Sequence, residues 1–80
     1  MFPERLKDLR KEKGMTQIEL ATALGVSSGT VAMWETGKRK PSFEMFEKLT
    51  QVFDKRIDYI LGTSDDPAPA KLNDMEVAQL

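Results

Sequence analysis

The run from Thr16 to Ser42, TQIELATALGVSSGTVAMWETGKRKPS, constrains the fold more than any other part of the chain. Signals that start and stop helices follow one another at short intervals along it. Thr16 and Glu19 form a T-x-x-E capping box, and Met15 and Leu20 occupy the positions of a hydrophobic staple. Gly25 falls where a helix ends in the left-handed region, which a residue without a Cβ adopts at low cost. Ser27 then serves as the N-cap of a second helix. Thr36-Gly37 stops that helix, Lys38-Arg39-Lys40-Pro41 forms a loop, and Ser42 caps the next helix. Two short helices joined by so tight a turn must cross at a steep angle, and the crossing needs a small residue. Ala21, four residues before Gly25, fits that position, and Val31 and Trp34 would pack beneath the second helix.

The flanking sequence completes an all-α pattern. Pro3 to Lys13 reads as a first helix, with Pro3 in its first turn, Gly14 just past its end, and Phe2, Leu6 and Leu9 facing inward. In the second helix Ile18, Leu20, Ala21 and Leu24 supply apolar surface; in the third, from Ser27 as cap to about Glu35, Val31 and Trp34 do so, with Val26 just before it. The fourth helix should turn Phe43, Phe46, Leu49, Val52 and Phe53 inward. Asp54-Lys55-Arg56 turns the chain. A fifth helix, Ile57 to Leu61, closes the core with Ile57, Ile60 and Leu61 and ends at Gly62. The expected architecture is a compact five-helix domain over residues 1–62. Residues 63–80 read as a linker and tail: TSDDPAPA is small, acidic and proline-bearing, and the segment after it is too poor in apolar residues to fold alone. The unfinished MEVAQL suggests a chain that continues into a further domain.

Composition narrows the function. Eighty residues make one small domain near the lower size limit for independent folding. The absence of cysteine and histidine removes disulfides, the usual zinc sites, thiol nucleophiles and histidine acid–base chemistry. The carboxylates, serines and lysines that remain form no spacing that couples a nucleophile to a base, so an enzyme is not expected, and neither is a cofactor, a metal or a small-molecule substrate. No apolar stretch approaches the ~20 residues that span a bilayer. The charged N-terminus does not resemble a secretion signal, so a cytoplasmic location without membrane contact is expected. The net charge of -1 conceals an asymmetry: residues 1–62 carry eleven Lys/Arg against nine Asp/Glu, whereas residues 63–80 carry Lys71 against Asp65, Asp66, Asp74 and Glu76. The folded part is mildly basic and the tail acidic, and screening over about 10 Å makes the local balance the one that matters.

The set Thr16-Gln17, Leu20-Ala21, Gly25-Val26-Ser27, Thr30-Val31, Trp34-Glu35, Gly37, Pro41-Ser42 and Asp58-Tyr59-Ile60-Leu61-Gly62 closely resembles the Cro/C1-type, or Xre, helix-turn-helix family, over residues 3–62. The family includes phage repressors and small bacterial regulators. The resemblance implies a lambda-repressor-like fold and a nucleoid-associated transcriptional regulator. It also implies a repressor that binds a near-palindromic double-stranded DNA operator as a homodimer, with the third helix in the major groove. The two recognition helices of such a dimer lie about one helical turn apart, ~34 Å.

The resemblance also assigns residues. Ser27, Ser28, Gly29 and Met33 take the positions that face base edges, and Gln17 takes one that faces the DNA backbone; Thr36, Lys38, Arg39 and Lys40, at and just after the end of the reading helix, are expected over phosphates as well. Relatives often carry long amides on the reading face, where each bidentate pair gives ~1–3 kcal/mol of discrimination. Here Ser28 is promiscuous, Gly29 has no side chain, and Met33 suits a thymine methyl, so more of the specificity should rest on DNA shape and water. The first turn of the second helix, at Gln17, has unpaired N–H groups that suit a phosphate. Lys38-Arg39-Lys40, directly after the reading helix, should add a salt-dependent grip.

Arg10 and Glu35 match positions that form a buried ion pair in some relatives, and the same pair is expected here. One departure lies near Asp54 and Arg56, where relatives carry glycine and then serine: Asp54 tolerates left-handed φ, but the missing cap predicts a looser or shifted start of the fifth helix. A competing reading follows from the bland reading face and the net charge of -1: a helical protein-interaction module, or an antitoxin-type regulator, with weak or no DNA binding.

Overall fold

In the computed structural model, residues 1–67 are described. They form five helices and no strand: α1 (Phe2–Glu12), α2 (Gln17–Leu24), α3 (Ser28–Thr36), α4 (Phe43–Phe53) and α5 (Ile57–Leu61). The helix boundaries follow the caps. Thr16 Oγ1 accepts from Glu19 N at 3.1 Å while Glu19 Oε1 accepts from Thr16 N at 2.9 Å, which closes the expected capping box. Ser27 and Ser42 cap α3 and α4 through Thr30 N and Met45 N, each at 3.2 Å. Gly25 takes φ 77°, and Val26 N donates to Ala21 O at 3.0 Å, so the turn consumes α2's last carbonyls as it redirects the chain. At its other end α3 runs through Thr36 and stops at Gly37, one residue later than expected.

The core is one cluster around α3. α1 packs on α3 and α5, α2 on α3 and α4, and α4 on α5. Leu6, Leu20, Leu24, Val31, Leu49 and Ile60 are fully enclosed, with Trp34 and Ala21 nearly so, at 3% exposure each. Fully burying each aliphatic side chain contributes ~1.5–3 kcal/mol. Phe2 meets Phe46 edge-on, with ring centroids 5.1 Å apart, and so joins the start of α1 to α4.

Several residues expected to face inward do not. Phe43 is 69% exposed and Ile18 67% exposed. Both sit in the first turn of their helices (α4 and α2), before the neighbouring helices cover that side. Ile57 is half-buried and Leu61 is exposed, which leaves Ile60 as the one fully enclosed residue of α5. Asp54 does adopt the left-handed conformation, with φ 51°. The start of α5 is not shifted, however. Arg56 provides no side-chain cap, but Asp58 Oδ1 accepts from Tyr59 N at 2.7 Å and takes one donor of the first turn. After α5, Thr63 N and Ser64 N donate to Asp58 O, and Asp65 pairs with Arg5 Nη2 at 3.0 Å. The Arg5 guanidinium also lies over the Tyr59 ring, 4.0 Å from its centroid. The remainder of the expected linker and tail, residues 68–80, lies outside the described residues.

Candidate nucleic-acid interface

The start of α3 presents a small, accessible face. Ser28 and Gly29 are exposed, and Ser27 spends its hydroxyl within the chain, on Thr30 N and on Thr30 Oγ1 at 2.9 Å. Gly29 is the informative residue. A Cβ built there would meet nothing nearer than Ser27 Oγ at 3.9 Å, and its backbone is helical, so the fold has room for alanine. Glycine costs a helix up to about 1 kcal/mol relative to alanine, less in the first turn, where Gly29 lies. The chain accepts that cost at a position where only something outside it can benefit from the missing side chain. Ala32 and Met33, expected on the same exposed face, are half-buried; of the two, Met33 has the reach to extend past the helix surface.

The other end of α3 is built from paired charges. Arg10 Nε and Nη2 grip the Glu35 carboxylate at 2.7 and 3.1 Å, while Arg10 Nη1 donates to Met15 O at 2.8 Å. The Glu35 side chain is 3% exposed and that of Arg10 11%. The bidentate pair locks α1 to α3 and to the loop that enters α2. The hydrogen bond to Glu35, aided by its charge and opposed by burial, raises the Arg10 pKa above its ordinary value. The stability that shift confers is complete below the ordinary arginine range and is lost only at still higher pH, so the Arg10 contribution does not vary with pH across the neutral range.

Sequence patterning does not reveal that Gln17 belongs to this network. Its Nε2 donates to Glu35 Oε1 at 3.2 Å. Nothing in local spacing signals a contact across eighteen residues and two helices; it exists because α2 packs on α3. The contact places the first turn of α2 beside the last turn of α3. Thr36 Oγ1 is turned back onto its own helix, donating to Ala32 O at 3.1 Å. Lys38, Arg39 and Lys40 are all exposed and follow at once. Lys38 N and Arg39 N both donate to Met33 O, and Pro41 is buried, so the basic loop is anchored at each end.

The resulting surface has two parts. The nine residues of α3 span ~13 Å at 1.5 Å per residue, with a small face at one end and Gln17 and the three cations at the other. The major groove of B-DNA is ~12 Å wide. No helix of the described residues is long and apolar enough to cross a membrane.

A profile of the helix-turn-helix family matches residues 6–60. The chain belongs to the Cro/C1-type helix-turn-helix family. It is 35% identical over 69 residues to the HTH-type transcriptional regulator YobD of Bacillus subtilis, a match covering 86% of this chain and 62% of YobD, so it spans about three fifths of that relative's length. Among solved structures, the P22 c2 repressor bound to a synthetic operator superposes with TM-score 0.72 at 27% identity, over 75% of this chain and 91% of that one. SinR, the biofilm regulator of B. subtilis, in complex with DNA gives TM-score 0.70 at 34% identity, over 76% and 98%. The five-helix, lambda-repressor-like fold expected from sequence is the fold of these neighbours.

Proposed function

We propose that the chain is the DNA-binding unit of a transcriptional repressor, which binds a near-palindromic operator as a homodimer and blocks a promoter by occupying it. α3 enters the major groove with Ser27, Ser28, Gly29 and Met33 toward base edges. Gln17, Thr36, Lys38, Arg39 and Lys40 lie along the phosphates. The observation that carries this reading is Gly29: an exposed helix position with room for a side chain that holds none, one helix length from three exposed cations. The DNA-bound P22 c2 repressor and SinR, which share the fold, support the choice of partner.

Selection of bound sequences from random duplex DNA tests the reading. It should return two half-sites about 34 Å apart, centre to centre. Replacing Lys38, Arg39 and Lys40 together by alanine should weaken binding to every sequence and flatten the salt dependence, by about 0.9 in log–log slope for each phosphate no longer neutralised. No binding to pooled DNA at low salt would overturn the reading in favour of a protein-interaction module.

A further inference from the structure

Glu35 and Gln17 together make a device that the pairing with Arg10 does not require. Arg10 and Glu35 already satisfy one another through two hydrogen bonds. Gln17 adds a third hydrogen bond to the carboxylate, at Oε1, which already accepts from Arg10 Nη2. An ionised carboxylate is acceptor-only, so it bonds the nitrogen end of an amide and rejects the oxygen end. Glu35 is held in place by Arg10, with its side chain 3% exposed, so it cannot turn away to suit the amide. The Gln17 side chain, half-buried at the surface end of the network, is therefore held with Nε2 toward Glu35.

We propose that Glu35 is a positioning residue for DNA binding: it orients the Gln17 amide so that its second Nε2 hydrogen, and not its carbonyl oxygen, meets a backbone phosphate. The proposal rests on the reading of Gln17 as a phosphate contact. A phosphate oxygen also accepts only. An unrestrained glutamine would have to fix its amide orientation on binding, at an entropic cost, whereas here the fold has fixed it beforehand. The phosphate then shares one amide nitrogen with Glu35, so the ion pair that sets the angle between α1 and α3 also sets the grip of α2 on DNA.

Two measurements test this. In the isotope-labelled protein without DNA, nitrogen relaxation of the Gln17 side-chain amide should show a group as rigid as the helix backbone; an amide as mobile as that of an exposed glutamine overturns the proposal. The second is a mutant cycle on random-sequence duplex DNA at low salt, with folding of each variant checked by its melting transition. Arg10→Leu with Glu35→Leu replaces the pair by apolar side chains of similar bulk, a change that cores often tolerate. It should lower affinity about fivefold in the Gln17 background, the worth of one hydrogen bond, and produce no further loss in a Gln17→Ala background. Equal loss in both backgrounds overturns the proposal, because the pair then acts only through the fold. Should the leucine pair not fold, Glu35→Gln replaces it in the cycle with the same two outcomes, since its amide accepts either end of Gln17. If Gln17→Ala itself binds DNA as the unmodified protein does, while the triple alanine variant of the basic loop binds weakly, the phosphate reading of Gln17 fails on its own account.

Discussion

At its start α3 exposes Ser28 and Gly29 and spends little on their surroundings; at its end the same helix buries Glu35 between Arg10 and Gln17. Nine residues thus carry two opposite designs. The start has no obligation to the fold beyond the Ser27 cap, so it is free to differ in what it touches. The end holds three helices in register through charges that must be matched inside the protein. The contrast teaches where this domain separates recognition from stability: in a helix-turn-helix unit both belong to one helix, divided along its length as well as around its circumference.

The sharpest way to break that comparison is at the buried end. Glu35→Ala strands the Arg10 guanidinium in a site with 11% exposure, and chemical denaturation should show a loss of ~3–5 kcal/mol. A loss under ~1 kcal/mol, the range of an exposed ion pair, would mean that water reaches the pair and that the two ends are alike. Next comes the packed face of α2. Ala21→Leu forces a larger side chain into the buried face of α2, and the melting transition should report ~1–3 kcal/mol of destabilisation. Ser27→Ala removes the cap at the start of α3 and should cost ~1 kcal/mol, a modest effect that marks the one point where the exposed end serves the fold. Smallest of all, Ser28→Ala should change stability by less than ~0.5 kcal/mol while shifting the base preferences recovered by selection. Unchanged preferences together with a lowered melting temperature would reverse the assignment of the two ends.

Where local chemistry decides structure, the sequence is a sufficient guide. The capping box at Thr16 and Glu19, the left-handed Gly25 and Asp54, and the Ser27 and Ser42 caps all depend on residues within a few positions of each other. Their hydrogen bonds close within one turn, so spacing alone reveals them. Burial is less legible. A helical period predicts a face but not how far a neighbouring helix covers it, and Phe43 and Ile18 lie beyond that cover. The same holds for Met33, half-buried where the pattern exposes it.

The division is clearest in the network around Glu35. Only the family pattern matches Arg10 with Glu35, because residues paired across helices leave no trace in local periodicity. That pattern gives Gln17 to phosphate alone, and the bond from Gln17 to Glu35 appears only once α2 is packed on α3. The tie from Arg5 to Tyr59 and Asp65 likewise spans the whole domain and has no local signature. By itself, then, the sequence determined the number of helices, their ends and the tight turn between α2 and α3, since caps and left-handed turns are short-range chemistry. Tertiary structure alone decided which apolar side chains are covered and which polar groups share a carboxylate, since both depend on the distance between helices far apart in the chain.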